Sequence, residues 1–164
     1  LGMLYHSKGE YEKAEAFFKR SIEGNEVALG KDHPSTLTSI GNLALLFDDI
    51  GDYGQAEDLN NDVLFKREKT LGPNHPDTLL TVNNLGMLYR QKGEYEKAEK
   101  FVIRAIEGNQ IALGKEHPTT IVFIKNLIEC YDESGNYENA IKQYKILIEL
   151  QENKLGPEAF DTLL

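Results

Sequence analysis

A corner of the form Leu-Gly…His-Pro-x-Thr returns at a fixed step of 42 residues. It stands as Leu29-Gly30…His33-Pro34-x-Thr36, Leu71-Gly72…His75-Pro76-x-Thr78 and Leu113-Gly114…His117-Pro118-x-Thr120, then in eroded form as Leu155-Gly156…Thr162. A second marker, Gly-x-Tyr-x-x-Ala, keeps the same step at Gly9, Gly51, Gly93 and Gly135. A period of this size means one supersecondary unit copied and stacked, because a single unit cannot bury its own apolar face. The chain therefore cannot be a globule with one central core. Its core must be a seam running between neighbours.

Two helical segments are legible in each unit. In the second copy the first runs from about Ser35 to Asp49, with Leu37, Ile40, Leu43, Ala44 and Phe47 at the spacing of an amphipathic helix. Pro34 opens it, where a missing N–H has no intrahelical partner to lose. It closes at Gly51. The second helix runs from Tyr53 to about Leu71, with Ala56, Leu59, Val63 and Leu64 inward, and a left-handed cap is expected at Gly72. Ala14, Ala56, Ala98 and Ala140 mark a close helix approach in every copy, and Gly2, Ala44 and Gly86 mark its partner side. Ile128 breaks that second series, so the last pair is expected to splay. Asn60 stands where other copies carry Phe18, Val102 and Tyr144, and is either a weak point or a satisfied polar contact. Copies one and three match more closely than neighbours do, which points to duplication of an 84-residue double repeat. The fold expected is all-α, a right-handed α-solenoid of about four helix-turn-helix units.

The chain of 164 residues reads as a single array over 1–164. Leu1-Gly2-Met3-Leu4-Tyr5 matches Leu85-Gly86-Met87-Leu88-Tyr89 from the second half of a helix, and Phe160 to Leu164 opens another. Both terminal repeats thus read as truncated, which makes the sequence a fragment of a longer array with apolar ends. Fraying or end-to-end self-association is expected of such ends.

Charge excludes some partners. With 27 acidic against 18 basic residues and a net charge of -9, binding a nucleic-acid backbone by bulk electrostatics is disfavoured. No apolar run approaches the roughly 20 residues of a membrane span. The lone Cys130 builds no disulfide framework, fits a reducing cytoplasmic setting, and occupies the place of Leu4, Leu46 and Leu88 as a small buried side chain.

Catalytic and metal chemistry find little support. His33, His75 and His117 sit one full helix pair apart, too far to share an ion, and each adjoins a helix-opening proline, so they read as backbone-bonding corner residues. No HExxH, CxxC, Walker loop or GxSxG occurs, and no cofactor is implied. Asp48-Asp49 and Asp132-Glu133 lie at first-helix ends and read as solvated charge. The tyrosines hold repeat positions, with Tyr11, Tyr53, Tyr95 and Tyr137 as turn packers and Tyr5, Tyr89 and Tyr131 in the seam.

The pattern N-x-L-[GA]-x-L-[YF]…G-x-Y-x-x-A…L-G-x-x-H-P-x-T resembles the 42-residue tetratricopeptide repeats of kinesin light chains and related multi-repeat proteins. It is carried here by Asn84 to Tyr89, Gly93 to Tyr95, Ala98, Leu113-Gly114 and His117-Pro118-x-Thr120. The resemblance implies a superhelix whose first helices line a concave groove that holds a peptide or partner segment. On this chain it implies Asn42, Leu45, Asn83, Asn84, Met87, Arg90, Lys125 and Asn126 as groove residues. The asparagines could clamp an extended backbone, or equally hold adjacent helices together. The light-chain groove favours aromatic residues flanked by acidic ones. Here Arg90 and Lys125 stand between Asp48-Asp49 on one side and Glu129, Asp132 and Glu133 on the other, so a mixed-charge or partly apolar peptide is expected, with Met3, Leu45 and Met87 as an adaptable floor. The reading is a non-enzymatic adaptor. Its alternatives are the sensor or autoinhibitory array of a larger P-loop nucleotide-hydrolysing protein, and a structural spacer. A P-loop upstream would favour the sensor, and an upstream coiled coil the light-chain reading.

Overall fold

A computed structural model describes residues 1–155 of the chain. They form α1 (Gly2–Ser7), α2 (Tyr11–Leu29), α3 (Pro34–Asp49), α4 (Tyr53–Leu71), α5 (Pro76–Gln91), α6 (Tyr95–Ala112), α7 (Pro118–Glu133) and α8 (Tyr137–Leu155). The eroded corner beyond Leu155 and the helix expected to open at Phe160 lie outside the described residues. Each complete unit is thus a first helix opened by proline and a second opened by tyrosine.

The histidine before each proline caps the first helix. Nδ1 of His33, His75 and His117 accepts the backbone N–H of Ser35, Asp77 and Thr119 at 3.1, 3.2 and 3.2 Å. Proline at the first helical position and an acceptor just before it together satisfy a helix start that would otherwise leave its amides open. Thr36 and Thr120 fasten the same corner from the other side, donating from Oγ1 to the carbonyls of Gly30 and Gly114 at 2.8 and 2.9 Å.

First helices end in a two-bond motif. The amide of Gly51 donates to the Asp48 carbonyl at 3.0 Å and that of Asp52 to the Phe47 carbonyl at 2.8 Å, with Gly51 at φ 83°. The same pair of bonds recurs at Gly9, Gly93 and Gly135. This is the Schellman arrangement, which asks for a residue without a Cβ penalty at positive φ. Second helices end otherwise. Gly72 has φ 94° and ψ 162°, an extended conformation at positive φ rather than the left-handed helical cap expected from the sequence. The chain has to leave the helix in an extended direction to reach the next proline, and that corner of backbone space is open essentially to glycine alone.

The seam follows the small residues. Ala14, Ala56 and Ala98 are fully buried and Ala140 nearly so. A Cβ on Gly86 would lie 2.6 Å from Val102 Cγ2, and one on Gly2 would lie 2.7 Å from the Phe18 ring. Cys130 is buried beside Leu127, Ile128 and Tyr131, and burial pushes its thiol up to about 11. With Ile128 in place of a small residue, α7 and α8 approach each other less extensively than α5 and α6 do. An open cleft between them is lined by Lys125, Ile128, Glu129, Tyr144 and Leu147. Asn60 is buried and half satisfied: Nδ2 donates to the Ala56 carbonyl at 3.0 Å while Oδ1 has no partner. Among the turn tyrosines, Tyr53 packs against the core, whereas Tyr137 is 64 % exposed because the described residues offer α8 no neighbour on that side.

Successive first helices touch directly, α3 to α5 and α5 to α7, and successive second helices make no comparable contact. In a curved stack the layer whose members meet is the inner one. First helices therefore form the inner face.

Candidate functional site

The free surface of each first helix is a narrow stripe. On α3 the residues left at least partly exposed along it are Thr38, Gly41, Asn42, Leu45 and Asp49; on α5 they are Leu80, Asn84, Met87 and Gln91; on α7 they are Val122, Lys125, Asn126, Glu129 and Glu133. The stripe repeats at three and four residues because the rest of each helix is buried against its own second helix and the preceding pair. Asn42, Leu45, Asn84, Met87, Arg90 and Asn126 are partly buried on or beside this face, and Lys125 is exposed.

Asn83 lies elsewhere. It is 5 % exposed, and its Oδ1 accepts from Asn126 Nδ2 at 3.0 Å, so the two amides join α5 to α7. Asp48 is likewise drawn off the surface, at 7 % exposure. Both occupy the crevice between neighbouring first helices, where a polar side chain must find a partner across the gap.

That crevice holds a ladder with one register. His6 Nε2 lies 2.7 Å from Asp49 Oδ2, Gln91 Nε2 donates to Asp48 Oδ2 at 3.0 Å, and Arg90 Nη1 lies 3.0 Å from Glu133 Oε1. Each rung joins a first helix to the next at a separation of 43 residues, as does the Asn83–Asn126 bond. Arg90 also reaches Glu129 at 2.6 Å. The inward basic charge expected at Arg90 is therefore engaged by two carboxylates, which leaves Lys125 as the exposed cation of the stripe. Tyr144 on α8 donates its hydroxyl to Asp132 at 3.2 Å. Burial, reinforced by the neighbouring Asp49 carboxylate, pushes Asp48 up to about 6 against the pull of Arg90. Asp48 Oδ1 has no hydrogen-bond partner.

One buried cation enters the face from a second helix. Arg67 of α4 is 7 % exposed, and its Nη1 donates to the Asp77 carbonyl at 2.8 Å and to Thr81 Oγ1 at 2.9 Å, while Nη2 donates to Thr38 Oγ1 at 3.3 Å. Arg67 does not stand out in the sequence, because its repeat equivalents are Asn25 and Asn109. The usable signal was the partner register: Asn25 bonds Ser39 and the Ser35 carbonyl just as Arg67 bonds Thr81 and the Asp77 carbonyl.

On the outer side, Tyr89 and Tyr131 donate their hydroxyls to Glu57 and Glu99 of the preceding second helix, each at 2.8 Å. Lys92 closes on Glu57 at 2.5 Å, and Arg104 pairs with Glu68. These contacts sit between units. Among the described residues no group of three metal-ligating side chains comes together, and no described helix is long and apolar enough to cross a membrane.

Paired helices at a 42-residue step, with the first helix of each pair inward, define an α-solenoid whose distinctive surface is a curved inner face. The family model described as tetratricopeptide repeat matches residues 1–64, 66–110 and 78–153, and the chain belongs to that family. Among solved structures, the nearly identical TPR-like repeats of a kinesin light chain candidate from Podosopora anserina share the fold, with a TM-score of 0.82 at 23 % identity over 96 % of this chain and 75 % of that one. BtubC (BKLC) from P. vanneervenii does so with a TM-score of 0.83 at 22 % identity, over 95 % of this chain. The present chain spans 62 % of the BtubC structure. A search of curated protein sequences found no match.

Proposed function

We propose that the chain is a non-enzymatic protein-interaction module that holds an extended peptide or partner segment across the inner face of α3, α5 and α7. The observation that carries this reading is the stripe itself. Asn42 and Asn84 point no amide at another described side chain, while Leu45 and Met87 lie partly exposed between them. Free amides beside a flexible apolar floor suit a backbone that needs both donors and acceptors and side chains of varied shape. Asn126 keeps part of its capacity, and Asn83 acts as the brace behind it.

Charge restricts the ligand. Asp49, Glu129, Asp132 and Glu133 outnumber Arg90 and Lys125, so a strongly acidic peptide is repelled and a mixed-charge or partly apolar one is accepted. A cytoplasmic setting suits the free buried Cys130.

Peptide display on the intact chain tests the reading, run beside a Leu45→Glu/Met87→Glu variant and a Phe65→Glu control on exposed α4 surface. A shared motif should be enriched on the wild type and the control and disappear on the inner-face variant with helicity unchanged. Enrichment that survives in the inner-face variant, or no enrichment at all, would overturn it and turn attention to the sensor or spacer roles.

A further inference from the structure

We propose that a cleft on the outer side, between α2 and α4 over α3, is a binding site for a small aromatic cation, an aryl ring joined by a short alkyl chain to an ammonium group. The cleft has a volume of about 290 Å³ and is lined by Lys19, Leu43, Phe47, Gln55, Asp58 and Leu59. Leu43 and Phe47, both nearly buried, form its floor. It faces away from the stripe that carries Asn42 and Asn84 and does not depend on a peptide being held there.

The other copies show what this place lacks. In the first, the rings of Tyr5 and Phe17 stack with centroids 5.3 Å apart, and Lys13 Nζ lies 5.5 Å from the Tyr5 centroid. In the third, Tyr89 and Phe101 stack at 5.3 Å, and Lys97 Nζ lies 5.0 Å from the Tyr89 centroid. At the same three positions the second copy carries Phe47, Leu59 and Gln55. Leucine is smaller than phenylalanine and glutamine carries no charge, so the space that a second ring and a cation occupy elsewhere is the cleft here. A brace is missing too. Tyr89 and Tyr131 bond Glu57 and Glu99 of the preceding second helix, whereas Phe47 has no hydroxyl for the equivalent Glu15, which pairs with Lys19 on its own helix at 2.6 Å.

A ligand that carries both a ring and an ammonium returns the two absent parts together. Its ring takes the volume that Phe17 and Phe101 fill in the other copies, where an offset-stacked pair contributes beyond its buried area. Its ammonium lies at the rim, where charge selects it. Asp58 stands there with no ion-pair partner among the described residues, while Lys19, the one cation of the lining, is taken by Glu15. The equivalents of Asp58 are Ala16, Lys100 and Lys142, so the acidic rim belongs to this copy alone. An aromatic anion meets Asp58 and is turned away.

The probe is phenylethylammonium chloride, titrated into the 164-residue chain beside phenylpropionate and butylammonium at matched ionic strength, with the Leu43 and Leu59 methyl signals followed by NMR. Both should move upfield saturably with phenylethylammonium, at a midpoint of about 1 mM for a ligand of this size, and several-fold less with either control. Leu59→Phe, which installs the residue of copies one and three, should abolish the response at Leu43. Asp58→Lys, a change at an exposed position, should raise the midpoint several-fold with helicity retained. No saturable shift, an equal response to phenylpropionate, or a full Leu43 response in Leu59→Phe would each overturn the assignment. If Leu59→Phe loses helicity, Asp58→Lys decides, and an unchanged midpoint there rejects the site.

Discussion

Asn109 shows what happens to one residue when its repeat partner changes. It is fully buried, and both Nδ2 and Oδ1 lack partners. The equivalent Asn25 and Arg67 bond Ser39 and Thr81, but in the third copy that place is Phe123, which offers no hydroxyl. A buried amide without bonds costs about 1–3 kcal/mol. Asn109→Leu should therefore stabilise the chain by about 1 kcal/mol or more, read as a raised urea midpoint; a lowered midpoint would show that the amide is satisfied after all. Asp48 gives a second prediction. Its folded pKa of about 6 lies above the ordinary 3.8, so between those values the folded state keeps a proton that the unfolded state has released. The associated stability is complete below about pH 4 and is lost as pH rises to about 6, on the order of 2–3 kcal/mol. Asp48→Asn is neutral throughout. It should gain on the wild type over that interval and keep a constant lead above it, whereas parallel stability curves would contradict the assignment.

At the scale of the element, helix bounds were legible in the sequence because proline, glycine and tyrosine punctuate them. Pro34 and Asp49, and Tyr53 and Leu71, are the observed ends of α3 and α4. That first helices face inward was reached through the resemblance to tetratricopeptide repeats, not through helical spacing. What was not legible was which polar residues the crevice would take, because Asn83 and Asp48 sit one residue off the exposed line and are captured by Asn126 and Gln91 of the next unit. A single-helix pattern carries no information about a bond to a residue 43 positions away. The glycines separate the same two effects. Gly86 is tight against Val102, so Gly86→Ala should destabilise by about 1–3 kcal/mol through overpacking. Gly41 lies mid-helix with nothing within 4 Å of the place an added methyl would occupy, so Gly41→Ala should stabilise by about 0.5–1 kcal/mol through backbone entropy alone. Urea midpoints moving in the same direction for both would contradict the packing described.

For the whole molecule, among the described residues α1 and α8 leave exposed side chains at places whose equivalents inside the stack are covered. Leu1 and Leu4 are 77 % and 50 % exposed, while their equivalents Leu85 and Leu88 are fully buried. Ile141 and Ile148 of α8 are 54 % and 51 % exposed, whereas Ile106, the equivalent of Ile148, is buried and Glu99, the equivalent of Ile141, bonds Tyr131 of α7. We propose that the 164-residue chain on its own associates head to tail, visible as a light-scattering mass that rises with concentration and that Ile141→Glu/Ile148→Glu reduces to a monomer; a concentration-independent monomeric mass in the wild type would rule it out. The central claim concerns the inner face, and hydrogen–deuterium exchange with a peptide recovered by display tests it most directly. Added protection should fall on the exposed stripes of α3, α5 and α7 and leave α4 and α6 unchanged. Protection concentrated on α4 and α6, with the first helices unaffected, would contradict the account.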